Sequence, residues 1–293
     1  MDNHTLFGID IIPEVQDGVS EVYSWEYLNQ VPGVDVVIHL AGKAHDTKNS
    51  IADQEYFDIN VGLTKRIFDH FLLSGAKKFI FFSSVKAVAD TVDGDELTEE
   101  AIPAPQTPYG KSKLEAERYF LSQPVPSDKQ VYILRPCMIH GPGNKGNLNL
   151  LYTLVKKGIP YPLGAFENRR SFVSIRNLRY VIERIIEQDV APGIYQVADD
   201  EPLATNQLIS LMAGSLNRKP RIWKVNKGLI KGFSRMGDRY NLPLNSERMK
   251  KLTESYIISN KKIKKALDIG SMPETAEEGM RSTLRSFAEN LRT

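Results

Sequence analysis

Strands buried on both faces of a parallel sheet appear in sequence as near-continuous apolar runs, and this chain carries such runs in series. Val34-Asp-Val-Val-Ile-His-Leu-Ala41 is one and Lys78-Phe-Ile-Phe-Phe-Ser-Ser84 is the next. Between them Ala52 to Ser74 has the periodicity of a long helix, with Gly75 as its expected C-cap. After the second run come a polar loop with Asp93-Gly94, a helix from Pro108 to Ser122 and a strand from Val131 to Arg135. Upstream, short strands are predicted at Leu6–Ile12, ending near Asp10, and at Glu21–Ser24, before a helical turn over Trp25–Gln30. This alternation predicts an α/β fold with a doubly wound parallel sheet.

The rhythm loosens after Pro142. A helix around Leu148–Lys157, a strand at Ser171–Ile175, a helix at Leu178–Gln188 and a strand at Gly193–Val197 are predicted. From Thr205 onward the pattern is mainly helical, with short strands at Arg221–Val225 and Tyr256–Ile258. We therefore expect residues 1–145, with about 171–198, to form a dinucleotide-binding domain. Residues 146–170 and 199–293 are expected to form a smaller, mainly helical substrate lobe.

A chain of 293 residues with 41% hydrophobic and 25% charged content is sized and composed for such a globular protein. A net charge of +2 gives no global reason to expect nucleic acid. One cysteine, Cys137, excludes an intrachain disulfide and fits a reducing compartment. Met1–Thr5 does not read as a secretory signal, and no apolar run is long enough to span a membrane. A cytoplasmic protein without a nucleic-acid or membrane partner is expected. His4, His39, His45, His70 and His140 lack metal-ligand spacing, so no metal is expected, and His39 in mid-strand is read as a core histidine.

The chemistry concentrates at one strand end and the helix after it. Ser84 closes the second apolar run, and Tyr109-Gly-Lys-Ser-Lys113 opens the helix that Thr107-Pro108 starts. Residues i and i+4 share a helix face, which brings Tyr109 and Lys113 together. An ammonium beside a phenol favours phenolate and lowers a pKa that starts near about 10. Such a tyrosine can exchange a proton near neutral pH while Ser84 hydrogen-bonds the substrate oxygen. The same Tyr-x-x-x-Lys spacing recurs at Tyr152/Lys156, inside an apolar helical stretch, where it reads as core or rim.

Ser84, Tyr109-Gly-Lys-Ser-Lys113, Val36-Val-Ile-His-Leu-Ala-Gly42 and Arg135-Pro-Cys-Met-Ile-His-Gly-Pro-Gly143 together resemble the extended short-chain dehydrogenase/reductases. The resemblance is to their NAD-dependent nucleotide-sugar epimerase, dehydratase and 4-ketoreductase branch. It implies a Rossmann-like sheet, hydride transfer at sugar C4, and NAD in preference to NADP. It further implies a nucleotide-sugar substrate, with a UDP-linked hexose expected, and a homodimer through a four-helix bundle built on the Ala52–Ser74 and Pro108–Ser122 helices. Ser84, Tyr109 and Lys113 take the catalytic places, with Lys113 also on the nicotinamide ribose. Asp10 matches the acidic residue that accepts from the adenosine ribose. Ser24 and Trp25 match the adenine side, Leu40, Ala41 and Gly42 the strand end along the cofactor, Asn60 a supporting helix asparagine, and Pro136 the nicotinamide pocket. Lys86, Asn147 and Arg170 are the substrate candidates, the arginine suited to a diphosphate by its bidentate fork. Dehydratase members carry an acidic pair beside the serine; Val85-Lys86 stands here, which ranks dehydration third.

The glycine-rich strand–turn–helix that holds the pyrophosphate in this branch has no counterpart before Asp10. Relative to the family, about 25 to 30 residues are expected to be missing, the size of that unit. The expected consequences are weak cofactor binding and a sheet lacking the strand between those of Asp10 and Val36. A truncated, inactive relative acting as a binding protein is therefore the rival to an enzyme. Gly141-Pro-Gly143-Asn-Lys-Gly146 reproduces the glycine spacing but is read as a loop on the sugar-nucleotide side.

Overall fold

The computed structural model describes residues 4–14, 17–43, 53–144, 147–240 and 246–289. The chain opens with parallel strands β1 (Phe7–Asp10) and β2 (Glu21–Ser24) and a 3₁₀ turn over Trp25–Gln30. Strand β3 (Val36–His39) follows, and then α1 (Asp53–Phe57), a π-helical turn over Asp58–Leu63, and α2 (Thr64–Leu73). Next come β4 (Lys78–Phe82), α3 (Pro108–Ser122), β5 (Gln130–Pro136), β6 (Met138–His140) and α4 (Asn147–Lys156). The chain continues through β7 (Arg169–Arg170), β8 (Phe172–Ser174), α5 (Ile175–Glu187), β9 (Gly193–Val197), β10 (Leu203–Ala204) and α6 (Thr205–Ser215). It ends with α7 (Lys227–Tyr240), α8 (Ser246–Thr253), α9 (Lys261–Ala266) and α10 (Ala276–Glu289).

The main sheet has the order β3-β4-β5-β9, parallel throughout, in the doubly wound arrangement expected from the sequence. Alternate residues of each strand serve opposite faces. Phe79, Phe81 and Ile133 pack with Phe68, Phe71 and Phe120 of α2 and α3. Ile80, Tyr132, Leu134 and Val197 pack with Leu178, Val181 and Ile185 of α5. Phe81 and Phe120 meet edge-on at 4.8 Å between centroids, and each fully buried phenylalanine contributes roughly 1.5–3 kcal/mol. Two lysines close the helices that cover the sheet. Lys129 Nζ donates to the carbonyls of Phe71, Ser74 and Ala76 around the end of α2, and Lys78 Nζ to those of Ile185, Ile186 and Gln188 around the end of α5.

A second core joins α4, α6, α10 and β8 around Tyr152, Met212, Met280 and Leu284. Tyr152 lies in it at 5% exposure, edge-on to Phe287, which agrees with its reading as core. His39 is likewise a core residue, its ring hydrogen-bonded to Thr64 Oγ1 at 2.7 Å and its pKa lowered to about 3 by burial and by the Lys113 charge.

The structure departs from the sequence reading in three places. The long helix after β3 contains a π turn, with one extra residue per turn, that places Asn60 wholly inside. Ser74, not Gly75, ends α2 in an extended conformation, so no left-handed glycine is used there. The strands expected at Arg221–Val225 and Tyr256–Ile258 reduce to single bridges, such as Tyr161 with Ile222 and Leu97 with Ile258. In keeping with the expected gap between the strands of Asp10 and Val36, β1 and β2 form a ribbon of their own, not hydrogen-bonded to the four-stranded sheet among the described residues.

Candidate active site

The parallel strands bring their carboxyl ends to one edge, where α/β sheets bind ligands. Leu40, Ala41 and Gly42 leave β3 there, Ser83 and Ser84 leave β4, and the buried Pro136 ends β5. Helix α3 starts beside them because Thr107 supplies an N-cap, its side chain accepting from Gly110 N at 3.2 Å, and Pro108 has the φ angle that a first helical turn needs.

Gly110 lets this helix start lie against the turn after β4. A Cβ there would stand 2.3 Å from the Lys86 carbonyl oxygen and 2.9 Å from Pro105 Cβ. With only hydrogen in that space, Tyr109 stands beside Ser84, close enough for the serine hydroxyl to act on its pKa. The Tyr109 ring also meets Tyr56 edge-on, centroids 6.3 Å apart.

One turn along, Lys113 is buried at 5% exposure, with Nζ donating to Phe82 O at 2.8 Å. Burial lowers its pKa to about 8, against the opposing pull of the Glu117 carboxylate, so it remains mainly cationic at pH 7. The phenol moves the other way. Burial pushes Tyr109 above its ordinary value, the Ser84 hydrogen bond opposes this, and Tyr56 adds to the rise. The sequence reading had Lys113 lowering the phenol; in this arrangement desolvation is the larger effect.

Asn60 joins the β3 exit to α3. Its Oδ1 accepts from Lys43 N at 2.7 Å, and its Nδ2 donates to Lys43 O at 3.1 Å and to Ser112 Oγ at 3.0 Å. Ser112 in turn donates to Tyr109 O at 2.9 Å. A Cβ on Gly42 would lie 2.9 Å from Asn60 Oδ1 and 3.0 Å from Lys113 Nζ, so the strand end is held bare of side chain. Beneath the site Arg135 grips Glu117 with Nε at 2.9 Å and a terminal nitrogen at 2.5 Å, both residues at 3% exposure or less, and Ser83 Oγ donates to the same carboxylate.

Ser84, Tyr109, Lys113, Gly42 and Asn60 thus converge, while other candidates lie elsewhere. Asp10 and Ser24 are register neighbours at the ends of β1 and β2, and Asp10 Oδ1 accepts from Ile12 N at 3.2 Å. Trp25 packs against the α2–α3 core, its carbonyl accepting from Arg66. Lys86 and Arg170 converge on Tyr256, a residue the sequence gave no reason to select. Lys86 Nζ stands 4.3 Å above its ring, and Arg170 bridges to it through the backbone. Tyr256 donates to Ala89 O at 2.7 Å, which fixes its place. Asn147 is the first residue of α4; His45, Lys145 and Gly146 lie outside the described residues. Ser112 and Glu117 were also missed, although Glu117 stands one turn beyond Lys113 on the same face.

The bare Gly42 backbone and the buried Lys113 ammonium suit the nicotinamide-ribose end of a dinucleotide. Among the described residues no glycine-rich turn serves the pyrophosphate. Fold and site define a doubly wound protein with a serine–tyrosine–lysine centre. The model of the NAD dependent epimerase/dehydratase family matches residues 24–198, and the chain belongs to that family.

Among its relatives is the UDP-glucose 4-epimerase of Vibrio cholerae, 31% identical over 259 residues, covering 87% of this chain and 77% of the relative. Another is the N-acetyl-alpha-D-glucosaminyl-diphospho-ditrans,octacis-undecaprenol 4-epimerase of Escherichia coli O157:H7, 29% identical over 212 residues, or 71% of this chain and 62% of the relative. The solved structure of MoeE5 in complex with UDP-glucose and NAD superposes with a TM-score of 0.74 over 99% of this chain and 92% of that one, at 18% identity. At that identity the likeness is one of fold.

Proposed function

We propose that this protein is an NAD-dependent enzyme that inverts or reduces C4 of a nucleotide-linked hexose, with a UDP-sugar as substrate, in the synthesis of polysaccharide precursors. The observation that carries this reading is the convergence of Ser84 and Tyr109 at one strand end, with the buried Lys113 ammonium one turn on. Bound NAD supplies a hydride acceptor and donor for the sugar carbon. Tyr109 takes the C4 hydroxyl proton and returns it, Ser84 orients that oxygen by hydrogen bonding, and Lys113 sets its charge against the developing phenolate and the ribose hydroxyls. Asp10, Ser24 and Trp25 are assigned to the adenosine end, Leu40, Ala41, Gly42, Asn60 and Pro136 to the backbone along the cofactor, and Lys86, Asn147 and Arg170 to the substrate.

The enzyme is assigned to the cytoplasm, in keeping with its single, buried Cys137; no helix among the described residues is long and apolar enough to cross a membrane. A homodimer through α2 and α3 completes the proposal. Leu73 and Leu121 are exposed on these helices, but Arg66, Asp69, Lys111, Glu115 and Arg118 give their outer faces a mainly charged character. Light scattering with size exclusion tests the dimer.

The deciding assay incubates the purified chain with UDP-galactose, and separately UDP-N-acetylgalactosamine, with catalytic NAD, and follows C4 configuration by proton NMR. Epimer formation without net cofactor consumption supports epimerisation. Stoichiometric NADH consumption with a 4-keto sugar supports reduction. No turnover, with no thermal shift on adding NAD, overturns the enzymatic reading in favour of a binding protein.

A further inference from the structure

The charge of this protein is nearly balanced overall, at +2, but it is not evenly spread. Pro202 to Gly237 holds seven lysines and arginines and no acidic residue, and Asn147 to Phe166 holds two lysines and none. The fold lays these two stretches together. Tyr161 N donates to Arg221 O at 2.8 Å, Trp223 N to Tyr161 O at 2.8 Å, and Gly164 N to Trp223 O at 3.0 Å. The Arg218 guanidinium donates to Lys156 O, which ties the end of α4 to the same ridge. Leu163 and Ile230, with Tyr161, Phe166 and Val225 around them, pack beneath and fix α7 against it.

The outer surface of this region combines clustered cations with exposed apolar side chains. Lys156, Lys157, Lys219, Lys224, Lys231 and Arg235 are all exposed. Glu167 and Asp238 stand only where the acid-free stretches end. Among the cations stand Ile159 at 48% exposure, Trp223 at 59% and Leu229 at 61%. Trp223 faces outward because its neighbour in the extended segment, Ile222, packs inward against Gly164. Like charges so concentrated repel, and the repulsion is relieved by an anionic partner. A tryptophan and aliphatic side chains set among lysines match the interface of an anionic bilayer, where apolar groups enter the headgroup region and cations meet phosphate. A single-stranded nucleic acid would instead call for a series of aromatic platforms, and Trp223 is the one exposed aromatic in this patch among the described residues.

We propose that the surface formed by residues 156–163 and 218–235 docks the protein peripherally on an anionic phospholipid membrane. The sequence reading excluded a membrane partner because no segment can span one. This contact needs no span, and it does not depend on the sugar or the reaction assigned above.

The test uses the full chain with vesicles of phosphatidylcholine mixed with phosphatidylglycerol, compared with pure phosphatidylcholine. The expected result is co-sedimentation with the anionic vesicles alone, reversed as salt rises from about 0.05 to 0.5 M, with a blue shift of the Trp223 emission. Trp223→Phe loses that shift, which separates it from Trp25. The triple variant Lys219→Glu, Lys224→Glu, Lys231→Glu is expected to bind at least about tenfold more weakly at an unchanged melting temperature. Absence of the wild-type chain from the anionic pellet at low salt overturns the proposal, as does equal binding to neutral vesicles or undiminished binding by the triple variant. Capture by a single-stranded oligonucleotide while the vesicles stay bare also overturns it.

Discussion

Replacing Gly110 with alanine tests the claim that the active centre is set by how closely α3 approaches the turn after β4. The new methyl would lie 2.3 Å from the Lys86 carbonyl oxygen and 2.9 Å from Pro105 Cβ. Carbon–oxygen contacts settle at about 3.3 Å, so the two backbones must separate by about 1 Å. Overpacking of this kind costs about 1–3 kcal/mol, offset by at most about 1 kcal/mol of helix propensity. The expected net is a loss of about 1–2 kcal/mol. A displacement of about 1 Å at the neighbouring Tyr109 moves it out of alignment with Ser84 and is expected to lower kcat about 10²-fold. The control is Gly62→Ala, in the π turn, where an added Cβ meets nothing within 4 Å. That change is expected to stabilise by roughly 0.5–1 kcal/mol and leave turnover alone. Urea denaturation and steady-state turnover of both variants provide the measurement. A Gly110→Ala protein as stable and as active as the wild type would refute the argument from close approach.

Three further changes examine the groups around it. Tyr109→Phe is expected to lower kcat about 10²–10⁴-fold while urea denaturation changes little, because the ring and its edge-on contact with Tyr56 are kept; retained turnover would remove it from proton transfer. Glu117→Gln or Arg135→Met alone is expected to cost about 3–5 kcal/mol, since each leaves a buried charge unmatched, whereas Glu117→Leu with Arg135→Met recovers most of it; additive losses would contradict the pairing. The β1–β2 ribbon, with its half-exposed strands, is expected to exchange its amides much faster than β4 and β5, and equal protection by hydrogen-exchange mass spectrometry would show that it is held by more than its own pairing.

The parallel sheet was legible because burial on both faces leaves the same mark on each strand, and Val36–His39 and Lys78–Phe82 fell inside the predicted runs. Tyr109 and Lys113 were legible as neighbours because helical spacing alone fixes i and i+4. What surrounds them was not, because it arrives from distant sequence. Asn60 was named through the resemblance, but its partner Ser112, 52 positions away, was not, and the requirement for Gly110 comes from a carbonyl in a different turn. Tyr256 was invisible for the same reason: a bridge to Arg170 and a cation over its ring give it meaning only after folding. The direction of the Tyr109 shift was misjudged because spacing reports a nearby charge and says nothing of desolvation.

That balance of charge against burial makes Lys113 the group to titrate. Its folded pKa of about 8 lies below the lysine value of 10.5, so the unfolded chain holds the extra proton between those limits. Burying the ammonium therefore costs stability at pH 7, about 3 kcal/mol for a shift of this size, and the cost is relieved as pH rises from about 8 to 10.5. Glu117 cannot cancel it, because Arg135 already occupies both oxygens of that carboxylate. His39, held neutral by burial, adds no second charge. The cation at the strand ends is thus kept poorly compensated, at a cost to the fold, which is the condition the role proposed for it beside a Tyr109 phenolate requires. Lys113→Met is expected to be more stable than the wild type at pH 7, by an amount that shrinks toward pH 10.5, and to turn over far more slowly. Urea titrations of both proteins from pH 7 to 10 measure this, and a stability difference that does not change with pH would show that the buried charge carries no such cost.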